Sequence, residues 1–237
     1  MRTIYILWLR QVKRYWRSKA RIVGALGQPL LFLVALGFGF GPIFQKAGGG
    51  DYIHFLAPGV IAMSILFTSM FNGIEVIWDR QFGFLKETLV APISRIKIMV
   101  GRTLGGATVA TIQGIIVFLM SLLVGFRPES WTYVPLAIVF MFLIAFLFTS
   151  LGTAIASKLE DMHAFQLIMN FLIMPIFFLS GALFPLEGLP KAINTITIFN
   201  PLTYGVNALR SALNGIFNMT TLLDFAVLAS VQSAILL

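Results

Sequence analysis

Tyr133-Val-Pro-Leu-Ala-Ile-Val-Phe-Met-Phe-Leu-Ile-Ala-Phe-Leu-Phe-Thr-Ser-Leu-Gly-Thr-Ala-Ile-Ala-Ser157 contains no Asp, Glu, Lys or Arg. As an α-helix this run is about 38 Å long, longer than the roughly 30 Å hydrocarbon core of a bilayer. It does not alternate as a half-buried strand would, and its length exceeds the roughly 18 apolar residues that mark a transmembrane helix. Lipid is therefore the solvent this segment is written for, and it fixes the fold class as all-α and membrane-embedded.

Outward from this run the same reading repeats. Tyr133 to Ser157 is the fourth of six apolar runs, joined by the turn Arg127, Pro128, Glu129, Ser130 to a third span from Thr103 to Phe126, which makes the two antiparallel neighbours. A first span runs from Ile22 to Phe44 and a second from Ile53 to Ile77. A fifth, Phe165 to Phe184, carries Pro175, which membrane helices tolerate when neighbours satisfy the freed carbonyl. The stretch Pro185 to Thr221, cut by Pro185, Pro190 and Pro201, is too polar to span and too apolar to be a solvated loop, and reads as two short re-entrant or interfacial helices. The final run, Phe225 to Leu237, is shorter than the roughly 20 residues a crossing needs, so the reading expects a sixth span cut short.

Composition agrees with a lipid solvent. Hydrophobic residues make up 58% of the 237 and charged residues 11%, against about 25% charged in soluble proteins. With no cysteine, a disulfide framework and Cys-based metal sites are excluded. The net charge of +8 does not point to nucleic acid, because the cations crowd beside the apolar runs, where topology and anionic headgroups account for them. Seven Lys or Arg precede Ile22, five lie between Asp79 and Arg102, and Lys158 follows span four; only Lys46, Arg127, Lys191 and Arg210 lie on the other side. That asymmetry predicts a cytoplasmic N-terminus and second loop, with Pro185 to Thr221 facing outward.

Within Met1 to Arg21, Arg10, Arg14, Arg17 and Arg21 recur at helical spacing while Tyr5, Trp8, Val12 and Trp16 fall on another face, which predicts an amphipathic helix at the membrane surface. The segment Asp79 to Arg102 contains a short amphipathic helix over Phe84 to Val90, with Leu85 and Leu89 on one face, Lys86 and Glu87 on another, and Pro92 as its stop. A short helix offered to the cytoplasm suits docking. Glu75 is close enough to the same edge to pair with Arg80 or the N-terminal arginines, and the middles of spans one, three, four and five hold no ionisable group, which argues against a proton-coupled transporter. Ser64, Thr68, Ser69, Asn72, Gln113 and Asn170 are candidates for pathway lining or for interhelical hydrogen bonds. No Walker A pattern appears, and neither His54 nor His163 has a second ligand at metal-site spacing, so neither nucleotide hydrolysis nor metal chemistry is supported within the chain.

Three segments resemble the ABC-2 family of ATP-binding-cassette permeases, which includes drug, nodulation-factor and polysaccharide exporters. They are Asp79 to Arg102 with its Ala91-Pro-Ile-Ser-Arg95 and closing Gly101-Arg102; Ser180-Gly-Ala-Leu-Phe-Pro-Leu-Glu-Gly-Leu-Pro190; and Phe199-Asn-Pro-Leu-Thr-Tyr204 followed by Arg210. The resemblance covers nearly the whole chain as one transmembrane domain, residues 1–237. It implies an interfacial connecting helix over residues 1–21 that includes Arg10, Arg14, Arg17 and Arg21. It implies a coupling helix, with Arg80, Gly83, Phe84, Leu85, Lys86, Glu87, Leu89 and Pro92, that docks on a separate ATPase. It also implies a re-entrant motif of Asn200, Pro201, Tyr204 and Arg210. By the same resemblance the chain itself carries no cofactor and is no enzyme. Two copies, a likeness to a homodimer, would sit in the membrane lipid with two ATPase subunits that bind ATP and Mg, and move a drug-like, lipid or glycan substrate outward. The alternatives are a passive channel, which wants charged or carbonyl-rich rings that the spans lack, and a lipid-modifying enzyme, for which Glu160, Asp161 and His163 form the only cluster.

Overall fold

A computed structural model describes residues 2–46, 50–83, 90, 94–186, 190–215 and 219–236. It is all-helical, with no strand among the described residues. In chain order the helices are α1 (Arg2–Arg17), α2 (Lys19–Lys46), α3 (Tyr52–Phe71), α4 (Ile74–Gln81), α5 (Arg95–Val124), α6 (Val134–Lys158, entered through a 3₁₀ turn at Trp131–Tyr133), α7 (Met162–Phe178), α8 (Lys191–Phe199), α9 (Pro201–Leu213) and α10 (Met219–Leu236). By length and composition four units can cross a membrane: Lys19–Lys46, Tyr52–Gln81, Arg95–Val124 and Trp131–Lys158. The chain is a multi-pass membrane protein.

The ends of these helices follow local rules. Asp51 caps α3 by accepting from Ile53 N at 3.0 Å, Ser94 caps α5 through Lys97 N, and Asp161 caps α7 by accepting from His163 N and Ala164 N. At the other end of α5, Gly125 takes φ 118°, a left-handed value that glycine adopts freely. Helix α7 stops at Phe178, six residues before the expected end of span five, because the chain turns through Gly181 at φ 73°. The last helix begins at Met219, so Met219 to Thr221 belong to it and not to the polar stretch before it. The N-terminal helix likewise ends at Arg17, and Arg21, expected on it, lies in the first turn of α2.

Helix α3 is the hub. Its residues from Leu56 to Leu66 are almost wholly buried among α2, α5, α6 and α9, whereas Val23, Leu31, Val34, Phe38 and Ile43 of α2 are exposed, as a lipid-facing helix requires. Glycine sets the closest approaches. A Cβ on Gly59 would lie 2.0 Å from the Ala182 carbonyl oxygen, and one on Gly152 of α6 would lie 2.7 Å from the Met70 carbonyl oxygen. Small residues at such crossings let helix backbones touch, which is how membrane helices gain packing energy without a water-driven force.

Candidate functional site

The chemistry gathers at the end of the bundle where α1, α4 and α5 meet. Asn72 and Gly73 interrupt the second apolar run, so that its last turns form a separate helix, α4. The break sits against α6, where a Cβ on Gly73 would fall 2.5 Å from the Gly152 carbonyl oxygen. Asn72 donates through Nδ2 to the Gly106 carbonyl at 3.1 Å, fastening the break to α5.

On α4, Glu75 and Asp79 are four residues apart and therefore share a face. Both are buried. Glu75 pairs with Arg21 at 2.9 Å and Arg14 at 3.7 Å; Asp79 pairs with Arg10 at 3.0 Å and with the buried Arg102. Four guanidinium groups from α1, α2 and α5 thus enclose two carboxylates. Burying carboxylates is costly unless they are paired and hydrogen-bonded, and here each has two cations. Aromatic faces support the cations, with Arg14 5.4 Å from the Trp78 ring and Arg21 5.8 Å from that of Tyr15.

Helix α1 is held lengthwise. Leu7 and Ile4 lie at Gly101 of α5, Gln11 and Trp8 at Gly105, and Tyr15 donates to Gln113 Oε1. Both sets of numbers rise together, so α1 and α5 run side by side in one direction. Trp8 Nε1 adds a hydrogen bond to Thr108 Oγ1 at 2.9 Å. Burial raises the Tyr15 phenol above its usual pKa, an effect Arg21 partly offsets.

Between α2 and α3, next to this cluster, lies a cavity of about 320 Å³. Phe67, Phe71, Trp78 and Pro29 form its apolar wall, and Gln28, Ser64, Thr68, Asn72 and Arg21 its polar edge. The Ser64 hydroxyl is buried without a hydrogen-bond partner among the described residues. Of the polar span positions, Thr68 and Asn72 line the cavity, Gln113 makes the interhelical bond to Tyr15, and Asn170 is exposed on α7.

Glu75 joins N-terminal arginines, one of the two pairings the sequence allowed. Arg80 instead donates to the Leu159 carbonyl at 3.1 Å and the Ser157 carbonyl at 2.8 Å, closing the end of α6. Arg17 is exposed and pairs with no described carboxylate. Gly83 takes φ 80° just past α4; Phe84, Leu85, Lys86, Glu87, Leu89 and Pro92 lie outside the described residues. The buried roles of Asp79 and Arg102 went unread because the sequence placed both in a polar connection. The i, i+4 spacing of Glu75 and Asp79 was the available signal.

At the opposite end, Asn200 caps α9 by accepting from Leu202 N at 3.0 Å and donates to the Ile176 carbonyl at 2.7 Å, with Pro201 opening the helix. Tyr204 donates to the Ile198 carbonyl at 2.7 Å. Arg210 donates to the Gly181 carbonyl at 2.9 Å and stands 4.0 Å over the Phe55 ring. Asn200, Pro201, Tyr204 and Arg210 thus join the short helices α8 and α9 to each other and to the end of α7.

The sequence profile of the ABC-2 type transporter family matches residues 2–214, from α1 through the cavity to the end of α9. The chain belongs to the ABC-2 type transporter family. Among relatives of this ABC-2 transporter, Nodulation protein J of Rhizobium leguminosarum bv. viciae is 28% identical over 204 residues, covering 84% of this chain and 78% of the relative. Inner membrane transport permease YadH of Escherichia coli (strain K12) is 26% identical over 225 residues, 94% of this chain and 87% of the relative. The residues of the ion cluster and the cavity thus lie within the stretch that the family profile matches.

Proposed function

We propose that this chain is the membrane-spanning subunit of an ATP-driven exporter, working as a homodimer with two copies of a separate ATPase. ATP and Mg bind on that partner. In this reading α7 and α10 complete six spans, the α1 end faces the cytoplasm, α8 and α9 form the outward re-entrant pair, and the substrate is a drug-like, lipid or glycan molecule.

The observation that carries the reading is the ion cluster. Helix α4 leads directly into residues 84–92, the segment expected to dock on the ATPase, and its two carboxylates are clasped by α1, α2 and α5. A push on the docking segment reaches those helices through charge pairs that resist separation, so α1 and α4 move as one body. Such a linkage passes the push on as a rigid-body shift rather than absorbing it in a soft hinge. The adjoining cavity supports transport of an amphipathic molecule, because its aromatic wall suits an apolar body and its hydroxyls and amides suit a substrate's polar groups.

The test is co-purification with the ATPase encoded beside this chain, using wild type, Leu85→Asp and Glu87→Arg. Retention by wild type and release or uncoupling by the substitutions is the expected result. An ATPase that never binds, or one indifferent to both substitutions, would overturn the reading.

A further inference from the structure

One face of α1 is not used by any contact described above. At 100° per residue, Ile4, Leu7, Trp8, Gln11 and Tyr15 point toward α5, and the opposite side presents Tyr5, Ile6 and Trp16, all more than half exposed, beside Arg2, Lys13 and Arg17. Lys13 and Arg17 are one helical turn apart, exposed, and pair with no carboxylate among the described residues. They line a groove along the helix with Arg10 and Arg14. Its neighbourhood is not neutral, since Arg10 and Arg14 also belong to the cluster, which sets four arginines against two carboxylates.

We propose that this groove is a binding site for the phosphate of an anionic phospholipid. Charge alone would serve an acidic protein equally, but the aromatic and aliphatic side chains on the same face decide between them. Exposed Tyr5 and Trp16 beside Lys and Arg are the side chains that settle at a membrane interface. Place in the chain agrees. Only Ser18 separates α1 from α2, and Val23, the first of the large exposed apolar residues of α2, follows Ser18 by about 8 Å of helix. A phosphate held by Lys13 and Arg17 leaves its acyl chains room along the exposed side of α2. Because Arg10 and Arg14 border the groove and also hold Asp79 and Glu75, a bound phosphate bears on the ion cluster, and headgroup charge becomes an input to the permease.

The inference rests on the exporter reading for which leaflet is engaged, but its test needs no ATPase, so the two fail separately. The purified chain is placed in nanodiscs of phosphatidylcholine with a minority of phosphatidylglycerol, and retained lipid is counted by native mass spectrometry. Wild type is expected to hold phosphatidylglycerol on the order of 10-fold above its share of the bilayer. Lys13→Gln with Arg17→Gln should bring that enrichment close to one, and Lys158→Gln with Lys191→Gln, which removes two cations elsewhere, should leave it intact. Both pairs are largely exposed, and thermal unfolding checks that each variant folds. No enrichment in wild type would overturn the proposal, as would enrichment unchanged by the first pair.

Discussion

The two ends of the bundle are fastened by different chemistry. At the α1 end, two buried carboxylates are enclosed by four arginines. At the α9 end, the half-buried Arg210 meets carbonyl oxygens and the Phe55 ring and pairs with no carboxylate among the described residues, while Tyr52, Asn200 and Tyr204 also donate to backbone carbonyls. The ion pairs depend on ionisation and on local charge, whereas the bonds from the neutral donors Tyr52, Asn200 and Tyr204 do not. The contrast fits a molecule that receives force at one end and keeps its shape at the other.

The largest effect should come from splitting a buried pair. Asp79→Ala leaves Arg102 buried without its carboxylate, and a loss of about 3 to 5 kcal/mol is expected, read as unfolding in detergent. Replacing both by leucine should recover most of it, because it is the orphaned charge that is costly. Next, Gly59→Ala drives a methyl group into the Ala182 carbonyl and should cost about 3 kcal/mol, whereas Gly39→Ala, with open space around it, should cost almost nothing.

At the other end the expected losses are smaller. Asn200→Ala removes the α9 cap and the bond to Ile176, for a fall of about 1 to 2 kcal/mol by the same measurement.

The smallest effect concerns pH. Backbone N–H groups of Ala164 and His163 hold the exposed Asp161 carboxyl below its usual pKa. Its folded-state pKa is depressed, so its stabilising contribution is present above the ordinary carboxylate value near 4 and is lost as pH falls through the lower folded value. Protection of the amides at the start of α7, taken relative to their intrinsic exchange rates, should therefore fall only in acid. Asp161→Asn, which still caps, should remove that pH dependence.

How much of this was legible beforehand differs along the chain. The apolar runs announced the helices because lipid forces every backbone group into internal hydrogen bonds. The Asn200-Pro201 step announced a helix start, since asparagine caps and proline opens. The break at Asn72–Gly73 was hidden inside a continuous apolar run, and it packs against a glycine on α6 nearly eighty residues away. The cluster was half legible. The arginine spacing showed a helical face, and Glu75 asked for a cation, but only packing brought Arg102 to Asp79 and turned Arg80 toward the end of α6.

The central claim is that α1 and α4 move as one body when the ATPase acts. The chain has no cysteine, so spin labels can be placed at will. The measurement is the label distance between Arg17→Cys and Phe82→Cys, and separately between Phe82→Cys and Ile196→Cys, in the complex with the ATPase with and without ATP. The account predicts an unchanged first distance and a changed second one. A first distance that shifts with ATP while the second stays fixed would contradict it.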